Sequence, residues 1–81
     1  MPRQVIEERL LSFLTTATGQ TTLTAESDLL EAGIADSLTM MDLLVFIESE
    51  FQLRLDFADL NPETFRSPAT ISQLVAARQA A

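Results

Sequence analysis

The sequence predicts an all-α fold, a small four-helix bundle of three main helices and one short helix, with a long loop between the first two. Apolar residues recur at helical spacing in three separate stretches. Asn or Ser stands directly before Pro at two positions, which is typical of a helix start. A single short stretch alternates like a strand and has no second candidate to pair with, which argues against a sheet.

The first helix is predicted over residues 3 to about 16. Its apolar residues are spaced three or four positions apart and share one face: they are Ile6, Leu10, Phe13 and Leu14. The β-branched and small polar residues that follow disfavour helix, and Gly19 can adopt the left-handed conformation that closes a helix C-terminus. We therefore expect the helix to end before Gly19.

The loop to the second helix is about twenty residues, which is longer than most connections. It contains apolar residues that we expect to pack over the core, namely Leu23, Leu29, Leu30 and Ile34. One helical turn is expected around residues 28–32, ended by Gly33. The loop is thus predicted to be partly ordered by its own side chains.

The second helix is predicted from residue 36 or 37 to about residue 51. One face carries the expected core residues Met40, Leu43, Leu44, Ile47 and Phe51. A second apolar line shares another face, because its members are spaced three and four residues apart: they are Leu38, Met41 and Val45. This second apolar line is either buried, as in a central helix of a small bundle, or exposed as a docking surface. The pattern does not decide whether Phe46 is core or surface.

The last part of the chain is predicted to contain one short and one longer helix. Apolar and polar residues alternate over residues 51–55, and we favour an extended linker there over a strand because no partner strand is available. Asn61-Pro62 predicts a short helix through Phe65. Ser67-Pro68 predicts the final helix, to about residue 79, whose apolar face contains Ile71, Leu74 and Val75.

The composition limits the classes of partner. The 81 residues are enough for one domain, residues 1–81. A net charge of −7 argues against nucleic acid and anionic membranes, and favours basic patches on other proteins. No apolar run reaches the roughly 18 residues of a membrane span, and we see no signal peptide. We expect a monomer in the cytoplasm.

The residue types present give little support for a catalytic site or a metal site. The chain has no His, Cys or Tyr, which excludes Ser-His-Asp and Cys-His catalysis. Glu48 with Glu50, or Asp36 with Asp42, could form a carboxylate pair, but solvated acids on a helix surface are far commoner. The acids also lack the spacing of a calcium loop. The sequence therefore predicts neither a catalytic nor a metal site.

Ser37 stands where the second helix begins and has two interpretations. Ser and Asp are preferred helix N-caps, because their oxygens accept otherwise unpaired backbone N–H groups. The same helix end would also stabilise a phosphate attached nearby, through its N–H groups and its positive dipole. The two roles are compatible, with Asp36 capping the helix and Ser37 modified.

At this motif the sequence resembles the acyl and peptidyl carrier protein superfamily. The attachment motif of that family is Asp-Ser-Leu between a loop and a helix, and here Asp36-Ser37-Leu38 follows Gly33. Residues 28–33, which lead up to the motif, and residues 48–51, the acidic-aromatic end of the helix, are also similar to the family. The length, the acidity and the helix order match as well.

The resemblance implies a non-catalytic carrier. Ser37 would receive 4′-phosphopantetheine from coenzyme A through a separate phosphopantetheinyl transferase, and the thiol of that arm would hold an acyl or aminoacyl group as a thioester for a loading ligase and downstream synthase or transferase enzymes. Asp36 and Leu38, on either side of Ser37, would be the other cofactor-binding residues. By the same resemblance, the partner-binding positions are Leu38, Met41, Asp42, Val45 and Glu48.

Departures from the fatty-acid type of carrier favour a specialised polyketide, nonribosomal or aminoacyl pathway. Thr39 and Ser49 stand where fatty-acid carriers usually have acids, and residues 56–67 form a longer segment. The alternative is a small acidic helical interaction module without a covalent cofactor. In that case Ser37 is only a cap, and the second apolar line binds a partner helix.

Overall fold

The computed structural model describes residues 1–34 and 38–80, and its regular elements there are all helical. Helix α1 spans Arg3–Thr18, α2 spans Leu38–Phe51 and α3 spans Pro68–Ala80, with a one-turn 3₁₀ helix at Phe57–Asp59. The all-α class is therefore confirmed. None of these helices is long and apolar enough to cross a membrane.

The four-helix count is wrong, because the described residues contain three α-helices and a single 3₁₀ turn. The short helix expected over residues 61–65 is only a turn, closed by the hydrogen bond from the Phe65 N–H to the Asn61 carbonyl at 3.1 Å. Residues 62–65 form this turn and residues 66–67 only bend, so the turn does not continue into a helix. The helical turn lies earlier, where the Asp56 N–H donates to Asp59 Oδ2 at 2.8 Å.

Helix α1 ends two residues later than predicted. Thr18 remains helical, and its hydroxyl donates to the Leu14 carbonyl at 2.7 Å, which satisfies the polar side chain within the helix. Gly19 then adopts a φ of 73°, and its N–H bonds the Thr15 carbonyl at 2.9 Å. The left-handed glycine predicted to close this helix is confirmed.

The core lies where the faces of α1, α2 and α3 meet, and α1 packs more extensively against α3 than against α2. Its buried members come from the three α-helices and from the segments between them: Ile6, Leu10, Leu14, Leu29, Ile34, Leu43, Ile47, Phe51, Phe65, Ile71 and Val75. The predicted helix faces are confirmed, with some members only partly buried at the edge of the core: Phe13, Met40, Leu44 and Leu74.

The loop between α1 and α2 contains the predicted single turn. Asp28 Oδ1 accepts the N–H groups of Leu30 and Glu31, at 2.9 and 3.1 Å, and the Ala32 N–H bonds the Asp28 carbonyl at 3.0 Å. Gly33 closes the turn with a φ of 78°. The loop buries Leu29 and Ile34 as expected, whereas Leu30, also expected over the core, is 57% exposed.

The segment from α2 to α3, residues 52–67, is called the connector below. Its residues 53–56 form neither helix nor strand, which agrees with the preference for a linker over a strand. Gln52 turns the chain out of α2 with a left-handed φ of 52°. The other end is fastened to the first loop, because the Leu29 N–H donates to the Arg66 carbonyl at 2.8 Å.

Candidate functional site

The candidate site lies at the start of α2. The predicted attachment residue Ser37 and its neighbour Asp36 lie outside the described residues, and α2 begins at the next residue, Leu38. The side chain of Leu38 is 85% exposed, so this helix end is at the surface. This end of α2 carries the positive end of the helix dipole. An anion attached at this end would therefore be stabilised.

The second apolar line is exposed along its whole length. Met41 is 62% exposed and Val45 66% exposed, in addition to Leu38. The opposite side of the helix is the buried side, with Leu43 and Ile47 fully covered. Of the two interpretations of the line, burial in the bundle is therefore wrong.

The acidic predicted partner-binding residues lie at the surface beside this line. Asp42 is exposed. Glu48 is also exposed, and its Oε2 accepts the N–H of Leu55 at 3.0 Å, so it also holds the start of the connector. Glu50 forms an ion pair with Arg9 of α1. Glu48 and Glu50 are thus engaged with the connector and with α1, respectively.

Phe46 belongs to the side of α2 that faces the bundle. Its ring stacks on Phe13 of α1, with centroids 4.5 Å apart and ring planes 19° apart. It also meets the edge of Phe51 at 6.0 Å. The open question about this residue is settled, since the ring is half-buried against the core.

An open cleft of about 560 Å³ lies between the first loop, α2 and the connector. Its walls are mainly apolar, and its rim carries charged residues: the lining includes Leu30, Met40, Leu44, Leu60, Phe65, Asp28, Glu63 and Arg66. The sequence pattern did not reveal this cleft, because it forms only when two irregular segments meet beside α2. In the sequence, the only sign of the cleft is the pair Leu29-Leu30 in a predicted turn, where two adjacent apolar side chains cannot both face the core. Leu29 is buried, and Leu30 lines the cleft.

A second, shallow hollow of about 530 Å³ lies at the opposite end of α2. Val45, Glu48, Ser49, Leu53 and Arg54 line it. It begins at the last member of the second apolar line. The exposed face of α2 therefore runs from Leu38 to this hollow.

Metal-ligating residue types do not cluster in the described part of the chain. No group of three or more His, Cys, Asp or Glu residues there is placed to hold a metal ion. The hydrogen bond from the Asp56 N–H, together with the Arg78 guanidinium, lowers the pKa of Asp59 below its usual 3.8. That carboxylate lies in the connector and belongs to a structural ion pair.

The residues present fit a phosphopantetheine group. The N-terminus of a helix suits the phosphate, and Leu38, where the structure's description of α2 begins, is exposed. The chain has no cysteine, so a thiol has to come from an attached group.

Comparison with known proteins agrees with this geometry. The phosphopantetheine attachment site family matches residues 8–76, which include the Asp36-Ser37-Leu38 motif. The D-alanyl carrier protein of Enterococcus faecalis is 34% identical over 76 residues, which covers 91% of this chain and 97% of that protein. Carrier proteins of this family are generally non-catalytic. The chain belongs to the phosphopantetheine attachment site family and is a carrier protein of the acyl and peptidyl carrier type.

Proposed function

We propose that Ser37 is the residue to which 4′-phosphopantetheine is attached, by a separate phosphopantetheinyl transferase that uses coenzyme A. The observation that carries the proposal is that the matched family region includes the Asp-Ser-Leu motif, directly at the exposed start of α2. The attached arm supplies the terminal thiol on which cargo is held as a thioester. The chain's own contribution is to present the serine, with Asp36 as helix cap, and to hold the helix rigid behind it.

The proposed cargo is an aminoacyl group, with D-alanine as the first candidate. Support comes from the D-alanyl carrier protein, which is similar over nearly the full length of both chains. The departures at Thr39 and Ser49, where fatty-acid carriers usually have acids, point the same way. Specialised polyketide and nonribosomal cargo remain the other candidates, ahead of primary fatty-acid synthesis. The protein is further predicted to be a single domain, to be a monomer and to act in the cytoplasm.

The proposed partner-binding surface consists of the second apolar line with Asp42 and Glu48, and it is called the docking face below. The exposure of its members supports this role, since three large apolar side chains lie in a row outside the core. The acids next to them suit basic partner surfaces in a chain of net charge −7. The transferase, the loading ligase and the downstream enzyme would all use this face.

The attachment is tested by incubating the chain with coenzyme A, Mg²⁺ and a broad-specificity phosphopantetheinyl transferase, followed by intact mass measurement. The wild type should gain one phosphopantetheine group and Ser37→Ala none. Ser12→Ala is the matched control, because Ser12 is an exposed serine on α1, and it should gain the group as the wild type does. No gain by the wild type would favour the acidic interaction module instead.

The cargo is tested on the protein isolated from its host. A D-alanyl thioester should appear as an added mass that hydroxylamine removes, while the phosphopantetheine remains. A different hydroxylamine-sensitive mass would replace D-alanine as the cargo and leave the attachment at Ser37 unaffected. A mass that hydroxylamine does not remove would contradict a thioester.

A further inference from the structure

The arginines of this acidic chain divide into two groups. All five of its cationic side chains are arginines. Three form ion pairs within the molecule: Arg3 with Glu7 at 3.7 Å, Arg9 with Glu50, and Arg78 with Asp59. Arg54 and Arg66 are exposed, and neither forms an ion pair with any residue that the structure describes. These two positive groups are the ones available to other molecules.

The backbone around Arg54 is held firmly. On one side, the Leu53 N–H bonds the Glu48 carbonyl at 3.3 Å, and on the other the Leu55 N–H bonds Glu48 Oε2 at 3.0 Å. The carbonyl of Arg54 itself accepts a hydrogen bond from Arg78 Nη1 at 3.0 Å. The exposed guanidinium therefore projects from a fixed point, which reduces the ordering cost when a partner binds.

Arg54 lies at the far end of the docking face. It lines the shallow hollow that also contains Val45 and Glu48, two members of that face, and the half-buried Leu53. Arg66 differs in place, because it lines the cleft at the other side of the connector with Met40 and Leu44. Of the two available arginines, Arg54 is the one next to the surface that partners would contact.

We propose that Arg54 is a specificity-determining residue of the docking face, which binds a carboxylate on the loading ligase. This rests on the proposed function. The ligase surface would then carry basic groups opposite Asp42 and Glu48, an apolar side chain against Val45 and Leu53, and an acidic group opposite Arg54. A ligase surface with both basic and acidic groups fixes the orientation of the bound carrier. A ligase surface with basic groups alone would be repelled by the positive charge of Arg54.

The test compares Arg54→Glu with Arg66→Glu, which change the net charge equally. Both are first converted to the phosphopantetheine form and then charged with radiolabelled D-alanine by the host ligase that charges the wild type. Arg54→Glu should raise the KM for the carrier about three- to tenfold with little change in kcat, and the effect should shrink at high salt. Arg66→Glu should match the wild type.

Two further variants of Arg54 avoid placing a new negative charge near Glu48, which Arg54→Glu would do. Arg54→Gln should raise the KM about two- to fivefold, and Arg54→Lys should recover part of the affinity. Equal KM values for the Arg54 and Arg66 variants would overturn the role of Arg54 and leave the carrier function intact. A wild type that accepts no phosphopantetheine would refute the proposed function, and the role of Arg54 with it.

Discussion

Residues close together in α2 have opposite environments. Val45 is 66% exposed and Ile47 is fully buried, although they are two positions apart. Helical geometry causes this difference, because two positions correspond to about 200° around the axis. Substitutions on the two faces should therefore separate docking from stability.

Replacing Met41 by Glu should impair loading without unfolding the protein. Met41 is 62% exposed, so a charge there has little effect on the core but disrupts an apolar contact with a partner. Circular dichroism and the thermal midpoint should stay near the wild-type values, while the KM of the loading ligase for the carrier rises. The control is Gln73→Glu, which adds the same charge at an exposed position of α3. A collapse of the helical signal in Met41→Glu would show that Met41 is a core residue.

Replacing Ile47 by Ala should have the opposite effect. Ile47 is fully buried, and its loss leaves a cavity that should lower the free energy of unfolding by about 2–5 kcal/mol. Urea titration followed by circular dichroism measures the change, with Val45→Ala on the exposed face as the matched control. A loss below about 1 kcal/mol for Ile47→Ala would contradict the described core.

At the scale of elements, the connector depends on all of its neighbours. Glu48 of α2 holds its start, Leu29 of the first loop holds its end, and Arg78 in the last turn of α3 holds its middle through Asp59. The Arg78 guanidinium donates to both oxygens of that carboxylate. The C-terminal turn of α3 therefore fixes one wall of the cleft and the backbone at Arg54.

The contact between Asp59 and Arg78 should make stability depend on pH in a defined direction. The pKa of Asp59 is lower in the folded protein than its usual 3.8, because the Asp56 N–H and Arg78 stabilise the charged form. This contribution is complete above the unfolded pKa and disappears as the pH falls through the lowered folded value. The stability difference between the wild type and Asp59→Asn should therefore favour the wild type near pH 7 and diminish in strong acid.

Urea titrations of both proteins across this pH range measure the difference. Asp42→Asn is the control, because Asp42 is an exposed acid on α2. It should show a smaller difference from the wild type at neutral pH. A difference for Asp59→Asn that grows as the pH falls would contradict the lowered pKa.

Much of the helical structure could be predicted from local pattern. The spacing of Ile6, Leu10 and Leu14 indicates a buried face, and Gly19 indicates where α1 closes. The short helix was misplaced because the start signal at Asn61-Pro62 begins a single turn that is not continued. At the single turn Phe57–Asp59, the Asp59 carboxylate accepts the backbone N–H of Asp56, and apolar spacing gives no signal for such a bond.

The site was predictable only in part. The spacing of Leu38, Met41 and Val45 defines their shared face, but it does not decide between burial and exposure, which depends on how many helices cover α2. The cleft and the position of Arg54 depend on hydrogen bonds between residues far apart in sequence. Examples are the bond from the Leu29 N–H to the Arg66 carbonyl and the bond from Arg78 to the Arg54 carbonyl. Tertiary packing creates these contacts, and a local pattern does not contain them.

At the scale of the whole molecule, polar contacts join the helices around the core and leave one face of α2 open. Arg9 of α1 pairs with Glu50 at the end of α2. The buried Ser72 of α3 donates to the Ala69 carbonyl at 2.7 Å and contacts Glu7 of α1 at 3.3 Å. The exposed face runs from Leu38, next to the proposed attachment residue, to the hollow at Arg54. The bundle thus serves as a rigid support for one modified residue and the surface beside it.

The most direct test of this account is to locate the phosphopantetheine group on the protein purified from its host. Proteolysis and tandem mass spectrometry would assign the group to a single residue. The group should lie on Ser37 and on no other serine of the chain. A group on a different serine, or a chain that carries none under conditions in which other carriers of the same host are modified, would contradict it.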